Sequence, residues 1–201
     1  MRVACWNVRG LSARYQRRYL SSWVRQHGPS VLIVVETKLF VISHACVRTL
    51  LRQPSFWFLP ANGVIGGILL AWSSPLIGVV VHSMALALGL CGISCGLSCI
   101  MLISLLLRLG FWPETSIVCL APLIHPPLLL LVHLCLLFAR SLEEFGLFDV
   151  PLNNDENPPI LRRLDRVFLS PELFSAFPSS YLVLGPRHLS DHALLLLSLL
   201  R

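Results

Sequence analysis

Two short stretches near the end of this chain limit what it can fold into. Leu164-Asp165-Arg166 puts an acid inside an apolar run, and Ser190-Asp191-His192 sets a second acid beside a histidine. A histidine can carry positive charge to a phosphate, and an acid behind it keeps it oriented and protonated. The partners of such a pair would be Asn7 and Glu36. They stand at the opposite end of the chain. If these residues share one site, everything between must fold so that the two ends meet.

The chain has 201 residues, enough for one domain with a sizeable core. Hydrophobic residues make up 55% and charged residues 13%, against about 25% charged in ordinary soluble domains. The mean hydropathy of +0.74 is correspondingly high. Charge is unevenly placed. Residues 1–72 hold nine Lys and Arg against one acid, Glu36, whereas residues 73–138 hold only Arg108 and Glu114. A basic first third suits a phosphate-rich partner, although net charge bears on association and not on fold.

The seven cysteines are Cys5, Cys46, Cys91, Cys95, Cys99, Cys119 and Cys135. Met1–Gly10 lacks an apolar signal region, so the expectation is an intracellular chain with reduced thiols, with the nucleus as one location. Cys91, Cys95 and Cys99 recur every four residues, but no histidine or acid lies nearby to complete a metal site. They read as small buried hydrophobes.

Arg2–Val8 is an apolar run that ends at Asn7 and Gly10, which predicts a strand stopping at a turn. Asn7 therefore stands at a strand end, where open α/β folds place ligand-binding groups; taken alone, it could simply start the turn. Tyr15–Gln26 has helical period, with Tyr15, Tyr19, Leu20, Trp23 and Val24 on one side and arginines on the other. His27-Gly28-Pro29 ends it. Ser30–Val35 reads as a fully buried strand leading into Glu36-Thr37-Lys38. A carboxylate in that position is costly to bury unless paired or bound to a cation. Val41–Gln53 predicts a helix and Phe56–Pro60 a short strand. Gly66–Trp72 and Leu76–His82 predict an antiparallel pair joined around Ser73-Ser74-Pro75.

The middle breaks this pattern. Residues 85–107 and 117–138 lack Asp, Glu, Lys and Arg, and each is about long enough to span a bilayer as a helix. Yet Gly89, Gly92 and Gly96 weaken the first as a helix, and Pro126-Pro127 would break the second. Globular character returns from Arg140. Arg140–Phe145 reads as helix and Leu147–Val150 as strand. Asn153–Pro159 reads as a polar loop, and Ile160–Ser170 as an apolar run around Asp165. Pro171–Phe174 reads as a helical turn, with Tyr181–Leu184 and Ala193–Leu200 as strands. Asp191-His192 alone could be a turn with a surface histidine, and Asp165 alone a salt-bridge partner.

Six stretches in order resemble the endonuclease/exonuclease/phosphatase superfamily, and look closest to the endonuclease domain of plant-type LINE (non-LTR) retrotransposons. They are Cys5-Trp6-Asn7-Val8-Arg9-Gly10-Leu11, Glu36-Thr37-Lys38, Gly66-Gly67-Ile68-Leu69-Leu70-Ala71-Trp72, Glu156-Asn157-Pro158, Arg163-Leu164-Asp165-Arg166-Val167-Phe168-Leu169-Ser170, and Arg187 with Ser190-Asp191-His192. The resemblance covers residues 1–82 and 138–200. It implies one α/β domain over 1–201, a four-layer sandwich of two mixed sheets with outer helices, incomplete or distorted around 84–137. It also implies a monomeric, divalent-metal phosphodiesterase acting on DNA with Mg²⁺ or Mn²⁺. By that likeness Glu36 would hold the metal with Asn7 beside it, and Asp191 would sit near it. His192 would contact the scissile phosphate, and Asp165 would hold His192.

The chain departs from that family in one block. The family's Gly-Asp-Phe-Asn motif, whose Asp activates water and whose Asn grips phosphate, is missing. Pro127–Leu131 resembles the preceding strand, and Val132-His133-Leu134-Cys135 stands where the motif should follow. The Tyr-Gly-Pro motif is missing too, and the Trp-Ser-Asn motif is reduced to Asn153-Asn154. The middle reads like translation in a shifted frame. The expectation is a decayed endonuclease domain with little or no catalysis. Two rivals are a membrane protein with a helical hairpin at 85–107 and 117–138, against which the prolines and flanking motifs argue, and a non-catalytic nucleic-acid-binding remnant.

Overall fold

The computed structural model describes residues 1–53, 55–62, 66–73, 117–120, 146, 148–150, 166–169, 171–187 and 189–201. Six strands form one mixed sheet: β1 (Arg2–Asn7), β2 (Val31–Val35), β3 (Ser55–Leu59), β4 (Ile68–Trp72), β8 (Tyr181–Leu184) and β9 (Leu195–Ser198). Their order is β3-β4-β2-β1-β9-β8. A second sheet has the order β5-β7-β6, from Ile117–Leu120, Arg166–Leu169 and Phe148–Asp149.

The centre of the large sheet explains how the chain ends meet. β1 and β2 run parallel, with Val3 opposite Val31 and Asn7 opposite Val35. Parallel neighbours need a crossover, supplied by α1 (Arg14–His27). On its other edge β1 pairs antiparallel with β9, placing Cys5 opposite Leu195. The first strand is thus flanked by β2 and by the last strand.

Both faces of this centre are covered, which is why β2 is apolar at every position. On one face Ala4, Trp6, Leu32 and Val34 pack with Leu20, Trp23 and Val24 of α1 and Val47 and Leu51 of α2 (His44–Leu51). On the other, Val3, Cys5, Ile33, Leu70 and Leu195 share a core with Val167 and Leu169 of β7 and Leu173 of α3 (Pro171–Ala176). Among the described residues the layers run from helices through the large sheet and a shared core to the small sheet.

Local signals set the element ends. Gly28 takes φ +54° and its N–H caps α1 at the Val24 carbonyl, 2.9 Å away, a conformation in which glycine has no Cβ penalty. The Ser43 hydroxyl accepts from the Cys46 N–H at 3.1 Å. That cap starts α2 three residues later than the apolar pattern of Val41–Gln53 predicts.

Two expectations need correction. β4 does not lie in a hairpin with Leu76–His82: it pairs along its whole length with β3 on one edge and β2 on the other. Sequence adjacency favours a hairpin partner, but a strand buried on both faces takes the partners that complete the sheet. The helical hairpin of 85–107 and 117–138 requires helix at Ile117–Leu120, where the chain forms β5, paired antiparallel with β7 from Ile117–Leu169 to Leu120–Arg166. Among the described residues no helix is long and apolar enough to cross a membrane. Leu76–His82, residues 85–107, Arg140–Phe145 and Asn153–Pro159 lie outside the described residues, as does Asp165.

Candidate metal and phosphate site

The site forms where β1 and β2, running parallel, release the chain at the same end of the sheet. Asn7 is the last residue of β1 and is buried. Its side-chain amide Nδ2 donates to Glu36 Oε1 at 3.2 Å. Its Oδ1 accepts the Arg9 N–H at 3.2 Å. Its carbonyl accepts the Ser190 hydroxyl at 2.7 Å. One asparagine therefore touches both chain ends.

Glu36 leaves β2 in the left-handed region, at φ +53°, and Lys38 repeats that conformation at φ +55°. Two such residues in one turn are strained unless neighbours hold them. The Gly66-Gly67 backbone does so: Thr37 N–H donates to the Gly67 carbonyl at 3.2 Å, and Lys38 N–H to the Gly66 carbonyl at 2.6 Å. A Cβ on Gly66 would lie 2.8 Å from Glu36 Cγ and 2.9 Å from its Cα. The turn and the two glycines are pressed backbone to side chain, with no room for a methyl group.

The second half of the site is the turn before β9. His192 is buried at 1% exposure. Its carbonyl accepts the Trp6 indole N–H at 3.3 Å, and its N–H donates to the Ser190 hydroxyl at 3.1 Å. Arg9, at φ +49°, reaches across this turn. Its Nε lies 2.7 Å from Asp191 Oδ1, and its Nη2 lies 3.5 Å from His192 Nε2. Asp191 is 60% exposed, and its Oδ1 is 3.9 Å from His192 Nε2. Behind Trp6, the Tyr19 ring leans on the indole with centroids 5.6 Å apart; burial raises its phenol above the ordinary 10.0.

Of the five residues singled out from sequence, Asn7 and Glu36 are in contact. Asn7 is tied through Ser190 to the turn that holds Asp191 and His192. Asp191 pairs with Arg9. Sequence reasoning assigns no role to Trp6, Arg9, Lys38, Ser190 or the Gly66-Gly67 pair. The signal for each lies beside a chosen residue, in a stretch already quoted.

Whether these side chains suit a divalent cation can be judged from Glu36. Its Oε2 is buried and, among the described residues, accepts no hydrogen bond. The Lys38 ammonium is 3.6 Å from it. Such an oxygen suits Mg²⁺ or Mn²⁺, which take one or two carboxylates and fill the remaining positions with water and phosphate. Among the described residues no three His, Cys, Asp or Glu side chains gather into a closed cage. The donor set fits an open site of this kind.

Ser190→Ala removes the group that joins Asn7 to His192. We expect a loss of about 1–3 kcal/mol in urea unfolding, because the variant leaves the buried Asn7 carbonyl and His192 N–H without that partner. An unchanged midpoint would mean that the turn stands without the hydroxyl.

No family model matches the chain, and no curated protein matches its sequence. Solved structures do match. An AP endonuclease from Leishmania major aligns over 98% of this chain and 86% of its own, at 14% identity and a TM-score of 0.58. A 3′-5′ exonuclease from Neisseria meningitidis aligns over all of both chains, at 13% identity and a TM-score of 0.57. An endonuclease/exonuclease/phosphatase protein from Beutenbergia cavernae aligns over all of this chain and 72% of its own, at 15% identity and a TM-score of 0.51. At these identities the likeness is one of fold: the chain has the α/β fold of these nucleases.

Proposed function

We propose that this chain is a divergent DNA endonuclease-like domain of retrotransposon origin, a metal-dependent phosphodiesterase whose hydrolytic rate is low. The observation that supports it is the junction at Asn7, bonded to Glu36 from one side and to Ser190 from the other. In this reading the fold is a four-layer sandwich of two mixed sheets with outer helices, and the domain acts as a monomer.

Glu36 and Asn7 would hold Mg²⁺ or Mn²⁺, with Asp191 nearby. Bound there, the cation would supply positive charge against the charge that grows on a scissile phosphate. His192 would contact that phosphate. Its turn is fixed by Trp6 and Ser190, so little reorganisation is needed when charge develops. Asp165 would orient His192. Arg9, beside both Asp191 and His192, would add a donor for phosphate oxygens. The basic first third would draw a polyanion toward the site.

The low rate follows from the missing Gly-Asp-Phe-Asn motif. Without a positioned general base, proton removal from the attacking water falls to solvent, a loss of about 10²–10⁴-fold. A shifted reading frame through the middle accounts for the loss in one block. The nucleotide sequence read in all frames would then restore that motif; an unbroken frame with no such alternative contradicts this origin.

The activity test is a supercoiled plasmid with Mg²⁺. We expect DNA binding at low salt that falls steeply as salt rises, with nicking about 10²–10⁴-fold below a domain that retains the base. Rapid nicking that disappears in His192→Ala would overturn the low-rate claim. No binding even at low salt would remove DNA as the partner. Binding without any nicking favours the non-catalytic remnant, a reading that the basic first third also supports.

A further inference from the structure

Three observations converge on Lys38. Its neighbour Glu36 has a buried oxygen, Oε2, that accepts no hydrogen bond among the described residues. The Lys38 ammonium stands 3.6 Å from that oxygen, and its side chain keeps 43% exposure. Both residues take left-handed backbone conformations, φ +53° and +55°, braced by the Gly66-Gly67 carbonyls. That bracing fixes the turn in which the carboxylate and the ammonium stand side by side.

An ammonium beside a carboxylate at this range offsets its charge without the directional bond that would lock it there. Its stem is long and partly in water, so it can swing away. The other carboxylate oxygen is already held by Asn7 at 3.2 Å. A metal arriving at Glu36 would therefore meet one open oxygen and one competing positive charge.

We infer that Lys38 is a resident counter-cation of Glu36, which neutralises the carboxylate in the metal-free chain and must swing out when a divalent cation binds. Lys38 thus sets the metal affinity of the site. The inference rests on the reading that Glu36 belongs to a cation site. It predicts that losing the charge at position 38 strengthens metal binding, the reverse of what losing a ligand would do.

The test is Mn²⁺ titration of the full chain, followed by the electron paramagnetic resonance signal of free Mn²⁺. Lys38→Met should bind Mn²⁺ about tenfold more tightly than the parent chain, since one unit of repulsion toward a double charge a few ångströms away is removed. Lys38→Arg, which keeps the charge, should bind like the parent. Glu36→Gln should lose the site. Equal affinity for Lys38→Met and the parent, with Glu36→Gln still abolishing binding, would overturn the role of Lys38 and leave the cation site intact. Mn²⁺ binding unaffected by Glu36→Gln would overturn the cation-site reading and this inference with it. Circular dichroism melting without metal checks that each variant is folded.

Discussion

Trp6→Ala is expected to destabilise the chain by about 3–5 kcal/mol, the usual cost of removing a large buried aromatic side chain. The ring is 2% exposed, and α1, α2 and the sheet centre meet around it. Typical domains are stable by only about 5–15 kcal/mol, so this variant should unfold at much lower urea concentration. The loss has a second part. The indole N–H is the donor to the His192 carbonyl, and alanine leaves that carbonyl without it. Trp6→Phe separates the two effects. It keeps most of the apolar area and should cost about 1–2 kcal/mol. Equal losses for the two variants would assign the whole effect to the hydrogen bond; no loss in Trp6→Ala would mean that the core is not organised around this ring.

Gly66→Ala should have the largest effect on the site itself. The added methyl group would meet Glu36 Cγ at 2.8 Å and Glu36 Cα at 2.9 Å. Backbone cannot yield as a flexible side-chain tip does, so either the β4 entry or the Glu36 turn must move. The 2.6 Å bond from Lys38 N–H to the Gly66 carbonyl resists the first. We expect a loss of about 1–3 kcal/mol, as for other overpacked positions, together with Mn²⁺ binding weakened by about tenfold or more as Glu36 leaves Asn7. Gly28→Ala is the control. Gly28 also has positive φ, but nothing lies within 4 Å of its added Cβ. It should cost only the backbone strain, about 1–2 kcal/mol, with no change in metal affinity.

Much of this architecture is legible in the residues because each level agrees. The β-branched run of β2, the two-faced pattern of α1 and the His27-Gly28-Pro29 stop each name one element. Asn7 and Glu36 stand out in the sequence as candidates because each lies where an apolar run ends, and a buried polar group there is costly unless paired. Other features depend on partners distant in sequence. The choice of β2 and β3 as the neighbours of β4 is set by filling the sheet, and no local pattern distinguishes it from a hairpin. The left-handed turn at Glu36 and Lys38 is equally hidden, because neither residue type favours it. It exists because Gly66-Gly67 arrives from another strand to hold it. The glycines are visible in the sequence, but what they press against is not. Arg9 is a similar case: its pairing with Asp191 and its approach to His192 arise only once β9 lies beside β1.

The most direct measurement of the convergence of the two chain ends is paramagnetic broadening by Mn²⁺ in the nuclear magnetic resonance spectrum of the labelled chain. The side-chain amide of Asn7 and the ring protons of His192 should broaden at sub-stoichiometric Mn²⁺, and both effects should vanish in Glu36→Gln. Signals of His27, at the far end of α1, should stay sharp. Broadening of Asn7 without His192, or of neither, would contradict a single site built from the first and last strands.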